Sequence, residues 1–219
     1  MHYRLDSNSQ VVWCVVRVYL RDGELFNEEQ SHYVRNVMRK SGQVHCFNEG
    51  GEWRCDITGK KIEQVRWPES VPKTTICVGM IKKPRLEILV EKLTEVGVTD
   101  LKLLETDHTQ KHFYDMQRLQ KISIEAAEQC GRLTPLKIHA PGVFADILQA
   151  LPAESTAFCH KKGTRSPNGH IDTLLIGPEG GWSAREFELL SSFRSINLGQ
   201  TTLRTETACI IAGYLLQNG

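Results

Sequence analysis

The sequence predicts an α/β protein with a small β-rich region at its N-terminal end. Three observations carry that expectation. Beyond residue 74, short apolar runs alternate with longer segments of helical periodicity. Residues 1–66 hold several short runs of β-branched and aromatic residues and one helical pattern. Near the C-terminus, two apolar runs each end in a polar, glycine-bearing loop that leads into a helix, the place where α/β sheets hold ligands.

Residues 11–20 (VVWCVVRVYL) read as a strand, and Arg21-Asp22-Gly23 turns it. Residues 28–39 have a helical pattern, with His32, Val34, Val37 and Met38 as candidate packing positions. Residues 43–47 and 53–57 alternate around Asn48-Glu49-Gly50-Gly51, a hairpin signal with a longer loop. These elements predict a small β-barrel-like domain over residues 1–70. Two prolines in residues 67–73 mark a linker. Residues 75–81 then predict a strand. Residues 85–96 predict a helix with Leu86, Leu89, Val90 and Leu93 on one face and Gly97 as its stop. Strands over 101–104, 136–138 and 156–159 interleave with helices over 115–130 and 143–151. Such alternation predicts a second domain, residues 74–219, built on a mainly parallel sheet with helices on both faces.

Composition narrows the class without fixing a function. The chain of 219 residues is 40% hydrophobic and 24% charged, ordinary values for a globular protein. No apolar run is long enough to span a bilayer as a helix, and residues 1–20 lack a signal-peptide layout. Seven scattered cysteines, an odd number with no C-x-x-C pair, point to reduced thiols in a cytoplasmic protein and away from structural zinc. Net charge is +1, so any RNA-binding surface must be a local patch. Candidate patches are Arg35/Arg39/Lys40, Lys82/Lys83/Arg85 and His160/Lys161/Lys162/Arg165, although charge runs are usually solvated surface. His108 and His112 stand four apart but lack the glutamate of a zinc helix, and read as structural or exposed. Trp53 and Trp67 are candidate stacking residues, with core packing the plainer role.

The most informative stretch begins at Leu174-Leu175-Ile176, which feeds Gly177-Pro178-Glu179-Gly180-Gly181-Trp182-Ser183. Three glycines and a proline in five residues exceed what a tight turn needs and allow a ligand to approach the main chain. Ser183 and Glu186 form a capping-box pattern that starts a helix at Ala184. A second apolar run ending at Leu198 feeds Gly199-Gln200-Thr201-Thr202-Leu203-Arg204-Thr205-Glu206, ahead of the nearly all-apolar residues 208–216. No G-x-G-x-x-G follows an early strand and no P-loop is present, so a Rossmann-type dinucleotide site is not expected.

GPEGG-W-S together with LG-x-x-x-LRTETA resembles the signature of the RsmE family of RNA methyltransferases. Residues 32–39 are similar to its H-x-x-x-V-L-R segment. Lys92 with residues 95–98 is similar to its K-x-x-E-L-G-V helix end, and residues 125–132 to its E-A-x-x-Q-s-x-R helix. The resemblance implies a SPOUT fold, in which a C-terminal α/β domain with a deep trefoil knot holds S-adenosyl-L-methionine, beside a PUA-like N-terminal RNA-binding domain. It implies methyl transfer to N3 of a uridine, with 16S rRNA or the small ribosomal subunit as partner. By the same resemblance the cofactor-binding residues are Gly177, Pro178, Glu179, Gly180, Gly181, Leu198, Gly199, Leu203 and Thr205. Arg204 and Glu206 are the catalytic candidates; Glu206 equally fits a residue complementing a helix dipole. Arg4, Arg35, Arg39, Lys161 and Arg165 are the RNA-binding candidates. The chain departs from the family pattern at Thr201 and His108, where arginine is common, at Thr202, where an aliphatic residue is common, and at its start, where Arg4 stands without further arginines nearby. The apolar C-terminal helix favours a homodimer. Two other readings stay open: a knotted methyltransferase for another rRNA or tRNA position, and a non-catalytic RNA-binding or ribosome-assembly factor.

Overall fold

A computed structural model describes residues 4–5, 11–12, 16–20, 26–37, 43–68, 70–109, 113–164 and 169–218. The chain divides into two units, Met1–Val71 with Ala127–Thr134, and Pro72–Ala126 with Pro135–Gly219.

In the first unit, β1 (Arg4–Leu5) and β2 (Val11–Val12) form an antiparallel pair. A four-stranded sheet runs in the order β3 (Arg17–Tyr19), β4 (Gln43–Asn48), β5 (Gly51–Asp56), β6 (Lys61–Arg66). Asn48 pairs with Gly51, so Glu49 and Gly50 close a tight two-residue turn where the sequence suggested a longer loop. The 28–39 helix is α1 (Glu28–His32) continued by a π-helical turn, Tyr33–Val37; Met38 and Arg39 lie outside the described residues. Val34 is buried, whereas His32 is exposed and hydrogen-bonded to Asn36. Strand alternation sends Val44 and Cys46 into a core with Val16, Val18, Leu20, Phe26 and Cys55.

The unit also encloses a charged centre. Arg17 makes two hydrogen bonds to Glu52, both 3.1 Å, and His45 Nδ1 lies 2.8 Å from the same carboxylate. Burial pushes the Glu52 carboxyl up, but hydrogen bonds from His45 and Arg17 outweigh it and hold the group at about 2. Arg17 also donates to the carbonyls of Ala127, Glu128 and Arg132, while Ala127 and Leu133 pack on Phe47. Those contacts explain why residues 127–134 belong with the N-terminal unit despite their place in the chain.

The second unit carries the expected parallel sheet. Its strands are β7 (Thr75–Gly79), β8 (Asp100–Glu105), β9 (Lys137–Ile138), β10 (Gly142–Val143), β11 (Thr156–Thr164), β12 (Thr173–Ile176) and β13 (Arg194–Ile196). The order is β10-β8-β7-β12-β11-β13, with β9 also paired to β8, and every pairing is parallel. The helices are α2 (Lys83–Val96), α3 (Met116–Cys130), α4 (Phe144–Gln149), α5 (Ala184–Leu189) and α6 (Thr205–Asn218). Successive strand residues enter different cores. Ile76, Val78, Leu174 and Ile176 pack with Leu86, Leu89, Val90, Leu93 and α6; Cys77 and Leu175 pack with Phe144, Leu148 and Leu190. Both faces are therefore covered. Gly97 stops α2 in the left-handed region at φ 101°. The strand expected over 156–159 runs on through residues 160–164, which extend β11 past its first pairing with β13, so that Thr164 returns to lie against Ile196.

Candidate functional site

Three adjacent strands, β12, β11 and β13, release their following segments at the same end of the sheet, the position where open α/β sheets form ligand crevices. These segments enclose a cleft of about 600 Å³, within the usual range for small-molecule sites. Its walls are residues 159–161, 176–179, 181–182, 197–199 and 201–205, with Phe187 and Ala208. The two glycine-bearing loops singled out from sequence thus face one another.

The first loop is held from several sides. Ser183 caps α5 in a full capping box: its hydroxyl accepts from the Glu186 N–H, and its own N–H donates to Glu186 Oε2 at 2.8 Å. Glu186 is buried and its other oxygen accepts the Asp107 N–H, also at 2.8 Å. Asp107 in turn accepts from the Ser183 hydroxyl (2.6 Å) and from Arg185 (2.7 Å), and those bonds hold its carboxyl below the usual aspartate range. Gly181 sits at φ 72°, a conformation that disfavours side-chain-bearing residues. Thr205 ties the two loops together by donating its hydroxyl to the Gly177 carbonyl at 3.3 Å.

The second loop leans on Asn197. Its Oδ1 accepts the Gly199 N–H (2.8 Å), its Nδ2 donates to the Lys161 carbonyl (2.6 Å), and its own N–H donates to Thr164 (2.8 Å). Beyond it, Thr201, Thr202 and Arg204 line the cleft with exposed side chains. Burial pushes the Cys159 thiol up to about 12, which makes it a neutral part of the wall.

Of the cofactor candidates, Gly177, Pro178, Glu179, Gly181, Leu198, Gly199, Leu203 and Thr205 all line the cleft; Gly180 does not. Arg204 lines it. Glu206, in the first turn of α6, is not among the lining residues; its Oε1 lies 3.7 Å from Arg85 and its Oε2 is buried without a hydrogen-bond partner. Arg85 also reaches Glu179 at 2.8 Å, so two carboxylates already engage this member of the Lys82/Lys83/Arg85 patch. Lys161 stands exposed at the cleft edge and Arg35 is exposed on the first unit. Arg4 belongs to β1; its side chain, and all of Arg39, His112 and Arg165, lie outside the described residues. Trp67 is 65% exposed, which removes it from the core that was its plainer reading; Trp53 is half-buried beneath Lys61. His160, singled out only as part of a basic patch, lines the cleft, and Trp182, Phe187 and Asn197 were not singled out from the sequence. Only Trp182, inside the glycine motif, carried a local signal.

Among the described residues no cluster of His, Cys, Asp or Glu could hold a metal ion, and no helix is long and apolar enough to cross a membrane.

The parallel sheet and the glycine-bounded cleft at the ends of β11, β12 and β13 lie within residues 68–217, which match the RNA methyltransferase domain family. More narrowly, the chain belongs to the ribosomal RNA small subunit methyltransferase E family. It is 33% identical over 211 residues to the Rickettsia conorii member, covering 86% of each chain. A Legionella pneumophila protein solved with the bound cofactor SAM superposes with a TM-score of 0.78 at 28% identity, over 93% of this chain and 97% of that one. The fold is shared as well with ribosomal RNA small subunit methyltransferase E of Neisseria gonorrhoeae, solved bound to S-adenosyl methionine: TM-score 0.72, 22% identity, 93% and 97% coverage.

Proposed function

We propose that this chain methylates N3 of a uridine in 16S ribosomal RNA, with S-adenosyl-L-methionine as donor in the 600 Å³ cleft. The observation that carries the proposal is the meeting of the Gly177–Gly181 turn and the Leu198–Thr205 loop across that cleft. The residues fit a nucleoside-bearing donor. Main-chain groups of Gly177, Gly181, Leu198 and Leu203 border the space, and the Trp182 indole N–H is a buried donor without a protein partner. When bound, the donor supplies an electrophilic methyl group on a sulfonium whose departure leaves a neutral thioether.

The chain's own residues then orient the base and ease loss of its N3 proton. Arg204 is the cation that faces the cleft from the second loop, where it steadies negative charge on a uracil oxygen or grips the neighbouring phosphate. Glu206 complements the start of α6 and balances Arg85; its absence from the cleft wall favours that role over proton transfer. Lys161 at the rim contacts RNA phosphate. The first unit, as a PUA-like domain with Arg35 on its surface, adds to the RNA grip. We assign the working form as a cytoplasmic homodimer, supported by Tyr214 and Leu215 of α6, which are 59% and 44% exposed.

The test is incubation of purified enzyme and labelled donor with small subunits and with free 16S rRNA. Methylation at N3 blocks the Watson–Crick edge, so the product appears as a reverse-transcription stop at one uridine. Label at another ring position or in tRNA would replace this assignment.

A further inference from the structure

We infer that His108 is a positioning residue that locks the glycine turn of the donor cleft, and that Gly180 is glycine to admit it. The inference rests on the reading of the cleft as the donor site.

His108 follows β8, in the segment whose Asp107 is bound to Ser183, Arg185 and Glu186. Its Nδ1 lies 3.0 Å from the Gly180 carbonyl and 3.1 Å from the Gly181 carbonyl. Carbonyls only accept, so Nδ1 carries the proton and donates to both. The approach is close: a Cβ at Gly180 would stand 2.8 Å from the His108 Cβ, and its three nearest neighbours would all be His108 atoms. Gly180 is absent from the positive-φ glycines and from the cleft wall. Its small size is therefore explained by His108 alone. Gly181, one residue on, does line the cleft and holds a positive φ that a side chain would strain. The imidazole fixes the two carbonyls that flank this residue's amide, so the turn keeps its ligand-binding shape before the ligand arrives.

Two readouts test this. One is calorimetric affinity for S-adenosylhomocysteine. The other, in the free protein, is hydrogen exchange at the Gly181 amide, which is bonded to the Pro178 carbonyl at 2.9 Å. His108→Leu keeps bulk and removes the donor; its expected effect is roughly three- to tenfold weaker binding, the usual worth of one or two hydrogen bonds, with faster exchange. His108→Asn keeps a nitrogen donor the same number of bonds from Cα and should restore both readouts to within about twofold of wild type. Gly180→Ala should weaken binding in the wild-type background and add nothing to His108→Gly, because the atoms it would strike are gone. Unchanged readouts in His108→Leu, equal losses in His108→Asn, or a Gly180→Ala cost that persists beside His108→Gly would each overturn the inference. Absence of binding by the wild-type protein would instead overturn the donor-site reading, and the exchange rates of the free protein would still decide whether the lock exists.

Discussion

The two loops that face each other across the cleft are built differently. The glycine turn after β12 is fastened by its own capping residue and by a distant segment: Glu186 takes two backbone N–H groups, while Asp107 takes Ser183 and Arg185 and His108 reaches two carbonyls. The loop after β13 is anchored at its start by Asn197, then presents Thr201, Thr202 and Arg204 outward. A preformed turn suits a ligand that is the same in every cycle, because the ordering cost is met on folding. Exposed polar side chains suit contact with the RNA. The departures from the family pattern at Thr201 and Thr202 fall on this second loop, while the GPEGG turn keeps its pattern.

The largest effect that would separate the loops is on turnover. Arg204→Ala should lower kcat by roughly 100-fold, the scale of losing a charge-stabilising donor, while S-adenosylhomocysteine affinity stays within about twofold. Equal losses in both would move Arg204 to the donor. Gly181→Val forces a β-branched residue into φ 72°; strain of about 1–3 kcal/mol predicts roughly 5- to 150-fold weaker binding by calorimetry. Wild-type affinity in that variant would remove the turn from the site. Glu186→Ala leaves the Asp107 and Ser183 N–H groups without their acceptor and should cost about 2 kcal/mol in denaturant unfolding. The smallest effect is one of pH. The Asp107 carboxyl is lowered by its bonds to Ser183 and Arg185. Its contribution is thus complete above the ordinary aspartate value, about 3.9, and is lost as pH falls through the lower folded value. Acidification should speed exchange at Ser183 relative to Gly199, after correction for intrinsic rates; parallel changes would mean the loops do not differ in this way.

What the sequence revealed was local. Gly97 ends its helix, Ser183 and Glu186 cap theirs, and Leu86, Leu89, Val90 and Leu93 share a buried face, because each feature is set by neighbours a turn away. The two loops that border the cleft were legible because their glycines and polar residues are contiguous. Features that depend on distant partners were not. β6 reads KIEQVR, with Ile62 and Val65 exposed, and offers no apolar alternation. Residues 127–134 join the first unit through Arg17 and Phe47, more than 75 residues away in the chain. Arg85 reads as a free cation until Glu179 and Glu206 are seen beside it, and Gly180 as a donor contact until His108 is placed over it. A trefoil knot was an expectation from the family resemblance alone, since threading leaves no mark on periodicity.

Calorimetric titration of the purified protein with S-adenosylhomocysteine, the demethylated product, decides whether the two loops form one donor site. A donor site formed by both loops gives saturable binding at one site per chain, reduced in Gly181→Val and retained in Arg204→Ala. No binding by a protein shown to be folded would contradict it and leave a non-catalytic RNA-binding factor as the better description.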